Sequence, residues 1–200
     1  MKQRKVSKLR LALCGRQSNR WRGLVLGSLG GAAGTLVMGW YFKLLSTLTP
    51  SANQSSENQD SGAHALDDIS LVGTHYQAGE GSTAAVGRIA YQTVAGKQPE
   101  SQETKATLSE AVHWGFGISM GALYGAARDE TEWPDFSGGL CFGAGVWLFA
   151  SELLLPILGL APGPTASPVQ RHAKEFGAHL VYGAVVAAVT QAMQRLFDSD

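Results

Sequence analysis

Residues 23–42 read GLVLGSLGGAAGTLVMGWYF and contain no charged side chain. An α-helix rises about 1.5 Å per residue, so twenty residues span about 30 Å, the thickness of the hydrocarbon core of a bilayer. The run is longer than the apolar region of a cleaved signal peptide, and no small-residue cleavage site follows it closely. We therefore expect a retained transmembrane helix at residues 23–48.

Three more segments of low charge follow, at about residues 108–127, 136–155 and 174–194. Each is short or polar enough to be marginal on its own. Taken together, the four segments predict an all-α fold, an integral membrane bundle of four transmembrane helices. A soluble helical domain with buried glycine-rich helices is the alternative.

The distribution of glycine favours the membrane interpretation. Sixteen of the 25 glycines fall inside the four segments, although glycine in a water-exposed helix costs about 1 kcal/mol relative to alanine. In lipid, small residues instead let two helix backbones approach closely. The glycines that recur at four-residue spacing form three sets: Gly23, Gly27 and Gly31; Gly117, Gly121 and Gly125; and Gly139 and Gly143. We expect these sets to be helix-packing faces, and surplus faces of this kind make a homo-oligomer plausible.

Charge is balanced overall but segregated along the chain. The 16 basic and 16 acidic residues cancel, so no electrostatic argument supports a nucleic-acid partner and we expect none. Eight of the basic residues lie in residues 1–22, which contain no acidic residue. By the positive-inside rule this segment is cytoplasmic, which places both termini in the cytoplasm and leaves the bilayer as the main partner.

The remaining segments are connections. Residues 49–81 are rich in Ser, Asn, Gln, Asp and Gly and predict an irregular or disordered external loop. Residues 82–96 repeat apolar side chains at helical spacing between a serine and a glycine, which predicts a short external amphipathic helix at the start of a membrane domain, residues 82–200. Four prolines between positions 156 and 168 predict that the third membrane helix ends near Pro156.

Three blocks of the chain resemble the YagU-like family of small bacterial inner-membrane proteins, whose function is unassigned. They are AVHWGFGISMGALYGA (111–126), FGAGVWLFASELLLPILGL (142–160) and RHAKEFGAHLVYG (171–183). The resemblance implies a membrane fold and location in the bacterial inner (plasma) membrane, but no reaction. It also implies a frequently acidic residue where this chain has Ser151, so a role that needs a carboxylate pair beside Glu152 is not expected.

Several ionisable side chains lie in the membrane segments, where a charge costs about 2.5–3.5 kcal/mol at the helix centre and therefore usually faces the bundle interior. The predicted topology brings the start of the second helix, the end of the third and the start of the fourth to the outer face. The polar side chains near these ends form one candidate cluster: His113, Glu152, His172, Glu175, His179 and Tyr182. His113, Glu152 and His179 are expected to approach one another, with His172 just outside.

Three interpretations of this cluster stay open. The first is structural, in which the polar contacts fix helix register. The second is a pH- or ligand-responsive site, or a transporter-like component, because histidine titrates near neutral pH. The third is a metal-dependent membrane enzyme, although no HExxH or CxxC spacing supports a metal site. Two cysteines exclude a Cys-only zinc site, and the chain has no recognisable catalytic motif. We therefore expect a non-enzymatic membrane component, structural or stress-related, with no cofactor, metal or catalytic residue.

Overall fold

The computed structural model describes residues 20–48, 66–128 and 135–198, and in these ranges the regular structure is entirely helical. The predicted basic segment up to residue 19, and residues 49–65 of the predicted external loop, lie outside them. The helices are α1 (Arg20–Leu48), α2 (Ser82–Ala95), α3 (Gln102–Arg128), α4 (Asp135–Val146, continued by a π-helix at Trp147–Leu154 and a last turn at Leu155–Ile157) and α5 (Val169–Asp198). The prediction of an all-α fold is confirmed.

The helices pack in an order that differs from their order in the chain. α1 is central, with α3 on one side and α5 on the other, while α4 packs on α5 and α2 packs on α3. The paired glycines show that α1 runs antiparallel to both of its neighbours, and that α4 runs antiparallel to α5. The ends of α1 and α4 therefore lie at the same end of the bundle as the beginnings of α3 and α5.

At the interface between α1 and α3, backbone atoms of the two helices contact each other directly at glycine positions. A Cβ atom added at Gly23 would lie 2.5 Å from the carbonyl oxygen of Gly125, and one added at Gly31 would lie 2.5 Å from that of Gly117. Between them, Gly27 and Gly121 face each other closely enough that neither position has room for a methyl group. About two turns of each helix thus approach without side chains between them.

Two other interfaces also depend on glycine. On α1, Gly30 and Gly34 face α5, where an added Cβ would lie 2.6 Å from Thr190 Oγ1 and 2.7 Å from the ring of Tyr182. On α4, Gly139 and Gly143 face Gly183 of α5. The eight glycines singled out from the sequence therefore make contacts within one chain, and a second copy would have to bind through other surfaces.

Three helical segments are long and apolar enough to cross a membrane: Arg20–Leu48, Phe136–Ile157 and Val169–Phe197. α3 does not meet these criteria within the described residues. Large apolar side chains also point away from the bundle, including Val25 (60% exposed), Leu29 (50%) and Phe149 (66%). Exposed apolar surface of this kind on long helices is compatible with a membrane protein.

The π-helix comes immediately before Pro156. Proline has no N–H and its ring clashes with the carbonyl four residues earlier, so an α-helix cannot continue regularly through it. Here the turn is widened, and the N–H of Leu155 donates to the carbonyl of Ala150, five residues back. The helix therefore continues past the proline and ends at Ile157.

Residues 66–81 follow an irregular path that is held on the connection between α4 and α5. The N–H of Leu71 donates to the carbonyl of Ile157 (3.0 Å), and the N–H of His75 donates to that of Gly159 (2.7 Å). Further along, the N–H of Gly163 donates to the carbonyl of Asp67 (2.9 Å). This part of the predicted external loop consequently covers the turn after α4.

Candidate functional site

A pair of ionisable side chains joins α4 to α5 near the connection between them. Glu152 lies in the π-helix and is 9% exposed. Its Oε1 atom is 2.8 Å from Nδ1 of His172, in the first turn of α5. Because this hydrogen bond satisfies a carboxylate that is largely removed from solvent, it offsets part of the cost of burying that group.

The π-helix determines which side chains accompany Glu152. Hydrogen bonding over five residues aligns positions five apart, so Trp147 shares a face with Glu152. The ring of Trp147 contacts the ring of Phe176 on α5 edge to face, with centroids 4.9 Å apart. Both Trp147 Nε1 and His172 Nε2 are buried, with no hydrogen-bond partner among the described residues. His172 therefore retains one buried nitrogen that makes no hydrogen bond to the described residues.

The other acidic and imidazole groups of α5 make local contacts. Glu175 accepts a hydrogen bond from Nε of Arg171 at 2.9 Å, in a partly exposed pair one turn apart. His179 places Nδ1 2.7 Å from the backbone carbonyl of Glu175, so this ring is bound to its own helix. The structure thus joins Glu152 by a hydrogen bond to His172, which the sequence analysis includes in the cluster but places just outside the membrane segment, and not to His179.

Tyr182 and His113 complete the predicted set. Tyr182 is buried in the core with Met38, Ala178 and Val186, and its hydroxyl donates to the carbonyl of Gly117 at 2.5 Å. It therefore ties α5 to α3 at the height of the glycine contact. His113 on α3 is half-buried, and the structure gives it no hydrogen bond to the described residues.

The arrangement is suited to holding helices together. No three His, Cys, Asp or Glu side chains are grouped closely enough to hold a metal ion in the described part of the chain. His113, Glu152 and His179 accordingly do not form the ligand set that the metal-dependent alternative requires. A carboxylate hydrogen-bonded to an imidazole can exchange a proton, but no nucleophile stands beside this pair in the contacts described.

A buried ion pair joins Arg88 of α2 to Glu80, just before that helix. This pair was not singled out from the sequence. Arg88, 8% exposed, donates from Nε to Oε1 of Glu80 at 2.8 Å and from Nη2 to Oε2 at 3.0 Å. Nη2 also donates to the carbonyl of His75 at 2.6 Å. The hydrogen bond from the guanidinium holds the pKa of the Glu80 carboxyl below its ordinary value, and the carboxylate raises the pKa of Arg88.

This pair anchors the irregular segment to α2. Since residues 67–76 of the same segment bind the connection after α4, the segment bridges the α2–α3 side of the bundle and the α4–α5 side. Arg88 is the one charged residue of α2, and a buried arginine needs an acidic partner. This feature of the sequence could have indicated the pair.

Half of the chain matches a known protein family. Residues 89–188 match the family described as Protein of unknown function (DUF1440). The chain belongs to this family. The matched region runs from within α2 to α5 and contains the π-helix, Glu152 and His172, whereas α1 lies before it. No curated protein and no solved structure is similar to the chain.

Proposed function

We propose that this DUF1440 protein is a non-enzymatic integral protein of the bacterial inner (plasma) membrane, with a structural or stress-related role. In this proposal α1, α3, α4 and α5 cross the bilayer and α2 lies at the outer surface. The resemblance of three sequence blocks to the YagU-like family supports the compartment, and the basic residues 1–22 support cytoplasmic termini.

The observation that carries the proposal is the contact of α3 with α1. α3 does not meet the criteria for a membrane span that α1, α4 and α5 meet, but it lies antiparallel along α1 from the Gly23–Gly125 contact to the Gly31–Gly117 contact. The eight steps from Gly23 to Gly31 correspond to about 12 Å along the helix axis, or nearly half of the ~30 Å hydrocarbon thickness. We therefore expect α3 to cross the membrane together with α1. Ser119 is accommodated there because its Oγ donates to the carbonyl of Gly115, 2.7 Å away in the same helix.

In this topology the Glu152–His172 pair lies near the outer surface. There it fastens the end of α4 to the start of α5, while Tyr182 fastens α5 to α3. A hydrogen bond at reduced dielectric fixes helix register more strongly than the same contact in water. The role supported best by these contacts is mechanical: a register-fixing pair in a glycine-packed bundle.

A pH-responsive role is the second candidate, because the partner of the Glu152 carboxylate is an imidazole. A positive charge on His172 would add ion-pair attraction to a hydrogen bond that the Glu152 carboxylate already accepts, and would thereby change how firmly α4 is held on α5. A ligand-responsive or transporter-like role would use the same pair. A metal-dependent enzyme would need a group of metal ligands, and the described residues contain no such group.

Membrane integration is tested by washing isolated membranes with alkaline carbonate. We expect the full chain to stay in the membrane pellet and to be released only by detergent. Recovery of the chain in the carbonate supernatant would overturn the proposal.

The pH-responsive candidate is tested by the melting temperature of the detergent-solubilised protein between pH 5 and pH 8, compared with that of His172→Gln. A difference between the two proteins that does not change with pH would exclude it.

A further inference from the structure

The irregular segment before α2 bends at residues 70–73, and the tip of this bend is apolar. Leu71 is 82% exposed and Val72 is 56% exposed. Turns at a protein surface favour Gly, Pro, Asn, Asp and Ser, and leucine and valine are not among these residues. Residues 69–79 also contain no Asp, Glu, Lys or Arg. The 70–73 bend thus presents apolar side chains at a position where a loop in water usually presents polar ones.

Hydrogen bonds and close packing fix the shape of the bend. The hydroxyl of Ser70 donates to the carbonyl of Gly73 at 2.8 Å, and the N–H of Leu71 donates to the carbonyl of Ile157 at 3.0 Å. The carbonyl of Gly73 also packs against Gly159, where an added Cβ would have no room. The bend cannot turn its tip inward without losing these contacts, so exposure of the apolar tip is a fixed feature of the fold.

The bend is attached at the end of a candidate membrane span. Ile157 is the last residue of the span Phe136–Ile157. In a helix that crosses a bilayer, the end of the apolar stretch lies where the hydrocarbon meets the headgroups. The hydrogen bond to Ile157 places Leu71 at this depth. Leu154 and Leu158, on either side of Ile157, are exposed as well, so apolar surface continues from the end of α4 to the bend.

We propose that the 70–73 bend is an interfacial anchor, in which Leu71 and Val72 insert among the upper acyl chains of the outer-leaflet phospholipids beside the end of α4. The inference rests on the proposed membrane location and adds to it a contact with lipid outside the membrane-spanning helices. Insertion removes two apolar side chains from water, which is the driving force for interfacial binding. It also holds the connection between α4 and α5 at the membrane surface.

The size and chemistry of the tip favour lipid over a protein partner. A stable protein–protein interface buries about 800 Å² on each partner, which is far more than two side chains offer. Such an interface also needs hydrogen bonds across it, whereas the backbone N–H groups of Leu71 and Val72 are already bound within the chain. Fluid acyl chains require neither a large area nor directional contacts, and they therefore suit a small apolar tip.

The depth of the bend can be measured by fluorescence quenching. The full chain, without its two native cysteines, carries a single cysteine with an environment-sensitive fluorophore and is reconstituted in vesicles of phosphatidylethanolamine and phosphatidylglycerol. The three label positions are Leu71→Cys in the bend, Gln77→Cys in the same irregular segment and Phe149→Cys on α4. All three side chains are exposed, so the label displaces no packed residue. A nitroxide quencher is attached to the lipid acyl chain either near the headgroup or near the chain end.

The three labels should report three different depths. The label at Leu71 should emit at a shorter wavelength than the label at Gln77, and the nitroxide near the headgroup should quench it several-fold more strongly. Phe149 lies eight residues before Ile157, which corresponds to about 12 Å of helix. Its label should be quenched most by the nitroxide near the chain end, because the centre of the hydrocarbon lies about 15 Å from its edge.

Two results would overturn the anchor. A Leu71 label with the emission and quenching of the Gln77 label would place the bend in water. A Leu71 label that emits at a shorter wavelength but is quenched by neither lipid would show that protein, such as a second copy, covers the bend. In both cases, quenching of the Phe149 label would leave the membrane location intact. A Phe149 label that neither lipid quenches would instead refute the proposed function itself.

Discussion

The backbone contact between α1 and α3 can be tested by adding a single methyl group, in the substitution Gly121→Ala. A Cβ atom at this position would lie against the carbonyl oxygen of Gly27 and 2.6 Å from the backbone nitrogen of Gly31. Ordinary contacts of a Cβ begin near 3.4 Å. Both obstructing groups are backbone, so no side chain can rotate away and the two helices must separate by about 1 Å.

The free-energy change follows from two opposing effects. Overpacking of this kind costs about 1–3 kcal/mol, and separation also weakens dispersion contacts along the neighbouring glycines. The higher helix propensity of alanine offsets up to about 1 kcal/mol of this loss in the free energy of unfolding. Gly121→Ala should therefore destabilise the protein by roughly 1–2 kcal/mol. Gly115→Ala, on the same helix, is the matched control, because a Cβ added at Gly115 meets no atom within 4 Å.

The assay is thermal unfolding of the purified chain in detergent, followed by helical circular dichroism. One kcal/mol corresponds to about 2–4 °C for a chain of this size. Gly121→Ala should melt several degrees below the wild type, and Gly115→Ala at the wild-type temperature or slightly above it. Equal melting temperatures for the two variants would show that α1 and α3 do not pack through their glycines. The α1–α3 contact would then give no reason for α3 to cross the membrane with α1.

Two further predictions concern the Glu152–His172 and Glu80–Arg88 pairs. In a double-mutant cycle, Glu152→Gln and His172→Gln should be non-additive by about 0.5–3 kcal/mol, because the two side chains share a hydrogen bond. Glu152→Gln combined with His179→Gln should be much closer to additive, and the reverse pattern would assign the carboxylate to His179. The pKa of Glu80 is lowered from 4.5 by Arg88, so the stabilisation is present above about pH 4.5 and is lost as the pH falls through the lowered value. Glu80→Gln should therefore cost about 1.5–3 kcal/mol at pH 7 and much less near pH 3, and an equal loss at both pH values would contradict this role.

Much of the helical framework follows from local sequence. The charge-free run at 23–42 lies inside α1, and the predicted segments at 136–155 and 174–194 lie inside helices that start earlier or end later. Four-residue spacing identifies which glycines share a helix face, since side chains four apart lie on the same side. The sequence could not identify the partner helix, because that choice depends on packing between segments distant in the chain.

The features that escaped prediction are those in which one segment depends on another. Gly30 and Gly34 form a second glycine face of α1, but they lie among other small residues that hide their spacing. The π-helix before Pro156 rotates Glu152 relative to a regular α-helix, so a regular helical register cannot assign its partner correctly. Residues 66–81 have no periodicity, and their position follows from hydrogen bonds to the connection after α4 and from the Glu80–Arg88 pair.

In the proposed topology four helices, including α3, cross the membrane and both termini lie in the cytoplasm. The most direct measurement is labelling of single cysteines by a membrane-impermeant maleimide in intact cells, in a background without Cys14 and Cys141. Cysteines at Gln98, before α3, and at Thr165, between α4 and α5, should be labelled, whereas those at Ser7 and at Thr131, after α3, should react only after the membrane is permeabilised. Labelling of Gln98 and Thr131 alike in intact cells would show that α3 does not cross and would contradict the four-helix account.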